Sequence, residues 1–418
     1  MSKNDKNNEK DKKDEKKEHP EPEDNLVETQ HSVVIDGEEI RYTVTAGTIV
    51  LKEEGGREKK SEGYKPKAEI FFIAYTRNDT GGEAAGRVKR PVTFSFNGGP
   101  GSSSVWLHLG LLGPRRVYNL EDGSQPQPPF RLVDNAYSLL DKTDLVFIDP
   151  VSTGFSRVVQ GEKAKQFHEF KKDIESVGDF IRLYTTRYKR WTSPKFLIGE
   201  SYGTTRAAGL SGHLQERHGM YLNGIMLVSA VLHFQTICFP TGNDLPFILF
   251  LPSYTAAAWY HKRLDDELQA DLRKTLAEVE KFAIEAYSVA LLRGADLTGP
   301  ERARIVEKLA RYTGLSPTYI ERTGLRIYAH RFFKELLRDE GRTVGRLDSR
   351  FKGIDRDSAG ETIEYDPLIT QIMGTYTAVL NDYLRSELEY ENDLPYEILT
   401  GNVWPWSYKE SENEFLNV

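Results

Sequence analysis

The stretch "PKFLIGESYGTTRAAGLSGHLQERHG", residues 194–219, constrains the fold of this chain more than any other. Apolar residues 196–198 predict a buried strand, and the amphipathic run after residue 203 predicts a helix. Between them stands Gly199-Glu200-Ser201-Tyr202-Gly203, a G-x-S-x-G motif. A serine on so sharp a turn stands at the carboxyl end of its strand and at the mouth of a helix, where fixed dipoles favour negative charge. Ser201 is therefore a candidate nucleophile. The competing reading is a surface turn with a helix-capping serine.

A second glycine-rich turn, "SFNGGPGSSS" at 95–104, also follows an apolar strand. Without side chains its backbone amides can approach a ligand closely. Acyl transfer needs two amide donors on the tetrahedral oxyanion, one after the nucleophile and one from such a loop. By itself this motif reads equally as a plain Gly-Pro loop.

The rest of the chain supplies a setting for both turns. Asp36-Gly37 between alternating segments signals a hairpin. "AEIFFIAYTR" (68–77), residues 145–149 and residues 225–231 read as strands, and "GGEAAG" (81–86) as a loop. Apolar strands separated by helical stretches predict a mostly parallel sheet covered on both faces. From about residue 234 the strand pattern gives way to charged amphipathic helices. The expected organisation is a charged, disordered tail at 1–24, an α/β core at 25–233, a helical cap inserted at 234–360, and an incomplete return to the core at 361–418. "VWPWSYKESENEFLNV" at the end reads as further helix.

Composition excludes several classes of function. Fifty-six basic and 63 acidic residues leave a net charge of −7, which is no footprint for nucleic acid. The single cysteine, Cys238, forms no intramolecular disulfide and cannot build a zinc site alone. No metal or cofactor is expected. No apolar run is long enough to span a bilayer, and the polar N-terminus lacks the apolar segment of a signal peptide, so the chain is expected to stay in the cytoplasm.

"NGGPGSSS" (97–104), "LGP" (112–114), "IDPVSTGFS" (148–156) and "IGESYG" (198–203), in this order and spacing, resemble the serine carboxypeptidase family, and "VWPWSY" its bacterial branch. The resemblance runs from about residue 71 to the end and is strongest at 91–230. It implies an α/β-hydrolase fold and a peptidase that releases one C-terminal amino acid through an acyl-enzyme. Its substrates would be peptide or protein C-termini. It implies Ser201 as nucleophile, with the amides of Gly99 and Tyr202 as the oxyanion hole. Asn97, the Gly98 amide and Glu200 would hold the substrate's α-carboxylate. A carboxylate beside Glu200 requires that one of the two carry a proton, since like charges at short range do not both ionise cheaply. Many relatives place a second acid just before "LGP"; here Leu111 and Leu112 stand there.

The resemblance also implies a triad aspartate and histidine late in the chain, and neither appears. The expectation is a chain that stops short of them, with impaired activity. His233, after residues 225–231, is the best substitute base, but a structural or pocket role suits it better. His108 reads as a packed helix histidine and Asp149 as a pocket residue. A non-catalytic binder of peptide C-termini and an acyltransferase or esterase on the same scaffold are the alternatives.

Overall fold

The computed structural model describes residues 21–57, 60–78, 89–120 and 124–408. Most of the charged tail and the whole of "GGEAAG" lie outside these residues.

The fold begins with a long hairpin, β1 (Asn25–Ile35) and β2 (Glu38–Arg57). Asp36 and Gly37 both have positive φ, +49° and +82°, the turn whose twist matches two antiparallel strands. β3 (Lys60–Arg77) pairs antiparallel with β2. There follow β4 (Val92–Phe96), the short antiparallel pair β5 (Arg115–Val117) and β6 (Leu132–Asp134), β7 (Asp144–Ile148), β8 (Arg157–Val158), β9 (Lys195–Glu200) and β10 (Gly224–Val228). The main sheet runs β1-β2-β3-β7-β4-β9-β10, with β8 on β3. β3 meets β7 antiparallel; β7, β4, β9 and β10 are parallel. The sheet is thus mixed, with parallel central strands, and carries the α/β-hydrolase fold.

Period-2 alternation sorts its side chains into two apolar layers. Phe71, Ile73 and Tyr75 of β3 pack with Phe147 and Ile198 under the helix Pro367–Asp382, through Tyr376 and Leu380. Ile70, Phe72 and Ala74 pack with Phe94, Val146 and Leu197 on the other face. There the helices Phe170–Arg187 and Tyr202–His218 supply Phe180, Tyr184 and Leu210. Every residue of β4 and β7 is buried, because both faces are covered.

A third apolar cluster is built by the helices Leu245–Tyr260, Leu272–Phe282, Gly299–Thr313 and Ala329–Glu335. Tyr254, Val279, Leu309 and Phe332 lie at its centre. Among the described residues, 245–340 contain no strand. A two-residue ladder, β11 (Thr343–Val344) with β12 (Lys352–Gly353), follows.

The helix expected over "VWPWSY" does not form. Residues 403–408 are irregular and pair with loops of the core at Ser407. Pro405 lacks the amide a helix needs, and the aromatic rings are drawn to separate partners, Trp406 to Tyr202 and Tyr408 to Phe234. The remainder of that stretch lies outside the described residues.

Candidate active site

Ser201 sits between the last residue of β9 and the first of the helix Tyr202–His218, at φ +56° and ψ −126°. A non-glycine residue keeps such a conformation only where its surroundings impose it. Here the Ser201 amide donates to the Val228 carbonyl at 3.0 Å, extending the β10 ladder by one bond. Its carbonyl accepts from the Thr204 amide at 2.9 Å and the Thr204 hydroxyl at 2.7 Å. Ser201 is partly exposed, and its hydroxyl has no hydrogen-bond partner among the described residues.

The glycines of the two motifs are required by close backbone approach. A Cβ on Gly199 would stand 2.0 Å from the Gly203 carbonyl oxygen, so the elbow could not close. A Cβ on Gly98 would stand 2.4 Å from the Tyr202 amide nitrogen and 2.6 Å from that of Gly203. The loop after β4 therefore lies directly against the first amides of the elbow helix, which have no partner within their own helix.

β4 and β9 are neighbours, so Asn97 and Glu200 emerge side by side, and Asn97 Nδ2 donates to Glu200 Oε2 at 3.0 Å. Asn97 is fully buried; its Oδ1 accepts from the Leu107 amide at 2.9 Å. Glu200 stays partly exposed. Asn97, Gly98, Glu200, Ser201 and Tyr202 thus form one cluster. Gly99, at φ +102°, lies at the crest of the loop beside Gly98. Leu111 is exposed and Leu112 buried, and neither offers Glu200 a polar partner.

Beneath the cluster lies a buried charge pair that the sequence did not announce. Arg206, one turn into the elbow helix, donates through Nε to Asp173 at 2.8 Å and through Nη1 to the Asn97 carbonyl at 2.7 Å. Its guanidinium also stacks near the rings of Phe96 and Tyr202. Burial pushes the Asp173 carboxyl up and Arg206 pulls it back. The available signal was a charged residue on the buried face of a helix that otherwise presents small and apolar residues there.

None of the described histidines meets Ser201. His233 is exposed and bonds Gln235 at 3.2 Å. His108 is buried on the opposite face of the sheet from the elbow helix, 2.5 Å from the Tyr75 hydroxyl, and burial lowers its pKa to about 3. His168 bonds Ser152, His261 bonds the Ser349 carbonyl, and His213 and His218 face each other at the far end of the elbow helix. His168 closes a short turn and is not on a helix. Asp149 is buried, accepts from the Ser104 amide at 2.8 Å and the Tyr396 hydroxyl at 2.7 Å, and burial raises its pKa to about 6. Among the described residues no cluster of three or more His, Cys, Asp or Glu could hold a metal ion, and no helix is long and apolar enough to cross a membrane.

A family profile described as serine carboxypeptidase matches residues 61–307. The pheromone-processing carboxypeptidase KEX1 of Saccharomyces cerevisiae is 35% identical over 164 residues, 38% of this chain and 20% of that protein. Serine carboxypeptidase-like 34 of Arabidopsis thaliana is 25% identical over 262 residues, 60% of this chain and 45% of that one. The chain thus spans less than half the length of either relative. Among solved structures, the prohormone-processing carboxypeptidase KEX1(delta)p of Saccharomyces cerevisiae aligns with a TM-score of 0.39 at 25% identity, covering 65% of this chain and 53% of that one.

Proposed function

Since this chain belongs to the serine carboxypeptidase family, we propose that its site releases the C-terminal amino acid of peptides through an acyl-enzyme on Ser201. The observation that carries the reading is the strained Ser201 elbow packed backbone-to-backbone against the Gly98 loop, with the Asn97–Glu200 pair beside it. In this reading Ser201 Oγ attacks the last peptide carbonyl. The amides of Gly99 and Tyr202 receive the oxyanion, and the terminal amino acid leaves with a proton on its amine. Water then hydrolyses the ester on Ser201. Asn97, the Gly98 amide and Glu200 receive the substrate's α-carboxylate, the group that distinguishes a chain end from an internal bond.

The 418-residue chain by itself should be slow. No imidazole hydrogen-bonds Ser201 among the described residues, and a serine hydroxyl without a base is a weak nucleophile at neutral pH. That same observation favours a second reading, a site that binds peptide C-termini without cleaving them.

The experiment is an assay on a blocked dipeptide, together with fluorophosphonate labelling and binding of a fluorescent peptide in free-acid and amide forms. Slow hydrolysis and labelling that both vanish in Ser201→Ala, with preference for the free acid, are expected. Binding of the free acid with neither hydrolysis nor labelling would replace the peptidase with the binder. Equal binding of acid and amide would remove the carboxylate assignment.

A further inference from the structure

Residues 395–408 form no strand or helix of their own, yet they touch the loops around Ser201 at both ends. Ser103 donates its amide to the Ile398 carbonyl and Thr400 its amide to the Gly101 carbonyl, each at 2.9 Å, with Ser102 opposite Leu399 as in an antiparallel pair. Contact is close enough that a Cβ on Gly101 would stand 2.4 Å from the Thr400 carbonyl oxygen. Glu397 exchanges both backbone bonds with Gly154, at 2.9 and 3.0 Å. The Tyr396 hydroxyl donates to one oxygen of Asp149 at 2.7 Å, and the other oxygen accepts the Ser104 amide at 2.8 Å. One buried carboxylate thereby joins this segment to the end of the glycine loop.

The other end of the segment reaches the elbow. Ser407 accepts from the Phe170 amide at 2.9 Å and donates to the His168 carbonyl at 3.1 Å. The Trp406 ring meets the Tyr202 ring edge-on at 5.5 Å, and Tyr408 meets it at 6.1 Å. Tyr202 carries one amide assigned to the oxyanion hole, and the loop held at Gly101 and Ser103 carries the other, at Gly99.

We infer that residues 395–408 position the oxyanion hole, with Tyr396, Asp149 and Trp406 as the positioning residues. The inference rests on the peptidase reading of Ser201. Two amides from separate loops stabilise one oxyanion only if their spacing is held to about 0.5 Å. The sequence Gly98-Gly99-Pro100-Gly101 has almost no side chain with which to pack itself, so its position must be imposed from outside. This segment grips the loop at one end and the Tyr202 ring at the other, and so fixes the distance between them.

The test uses the full chain with Tyr396→Phe, which keeps the ring and removes the hydroxyl, and with Trp406→Ala and Trp406→Phe. Hydrogen exchange is followed at 98–104, at 201–206 and, as internal control, at 251–337. Fluorophosphonate labelling is resolved into its maximal rate and its half-saturating concentration. Tyr396→Phe should speed exchange at 98–104, and Trp406→Ala at 201–206, with 251–337 unchanged. Both should lower the maximal labelling rate about tenfold, with the half-saturating concentration within about twofold, as misplacement of reacting groups predicts. Trp406→Phe should restore most of the loss. Unchanged exchange in both segments, or a labelling loss matched by faster exchange throughout 251–337, overturns the inference. If the wild-type chain does not label at all, the peptidase reading fails, and exchange at 98–104 and 201–206 alone decides whether the segment positions the two loops.

Discussion

At the scale of single residues, the site is defined by atoms that are missing. Gly98 and Gly199 leave room for backbone to touch backbone, and the result is a loop and an elbow that share one surface. Gly98→Ala must push either Tyr202 or the whole loop away, since the neighbouring atoms are backbone and cannot rotate aside. Overpacking of this kind costs about 1–3 kcal/mol. Urea unfolding should show that loss, and fluorophosphonate labelling of Ser201 should fall with it. An alanine at 98 that leaves both stability and labelling unchanged would mean that the loop and the elbow are not in contact. Arg206 acts differently: it joins helix, loop and Asp173 by supplying hydrogen bonds where the backbone of Asn97 would otherwise lack one.

At the scale of elements, β10 is the informative strand. β4 and β7 are buried on both faces, whereas successive residues Ile225 and Met226 of β10, which point to opposite faces, are 39% and 38% exposed. Among the described residues β10 pairs only with β9. An edge strand with apolar side chains is a template for association with other chains. Met226→Lys should therefore cost no more than about 0.5 kcal/mol in urea unfolding, as for other exposed positions. The wild-type chain should show concentration-dependent light scattering, and Met226→Lys should reduce it. Undiminished scattering would remove β10 as the point of association.

At the scale of the whole molecule, two buried titratable groups work against each other. Asp149 has its pKa raised from 3.8 to about 6, so its contribution to stability is full below pH 3.8 and is lost as pH rises through 6. His108 has its pKa lowered from 6.5 to about 3, so its contribution is full above pH 6.5 and is lost as pH falls toward 3. Near pH 5 the folded state holds almost one more proton at Asp149 and almost one fewer at His108 than the unfolded chain. The two slopes oppose each other and largely offset there. Asp149→Asn removes one of them. Relative to wild type, the variant should lose about 1 kcal/mol of stability for each pH unit lowered from 6 to 4. Urea unfolding at pH 4, 5 and 6 reads this directly, and parallel pH profiles for the two proteins would refute it.

Local chemistry determined much of this protein. The strand, turn and helix around Ser201, the glycine loop, the Asp36-Gly37 hairpin and the helices after residue 245 each follow from patterns a few residues long, because hydrophobic period and turn chemistry act over that range. The adjacency of Asn97 and Glu200 followed once two parallel strands were placed side by side. Contacts without a local pattern were decided by the tertiary structure alone. Tyr396 and Asp149 are 247 residues apart, and nothing near either one names the other. The segment 403–408 read as helix because propensity is local, while the bonds of Ser407 and the rings of Trp406 and Tyr408 are satisfied by loops far away in the chain. Arg206 and Asp173 could each be seen as polar residues on helices, but only the packing of those helices makes them a buried pair. Sequence thus specifies what each segment can form and which atoms it can offer, and the folded chain decides which distant groups receive them.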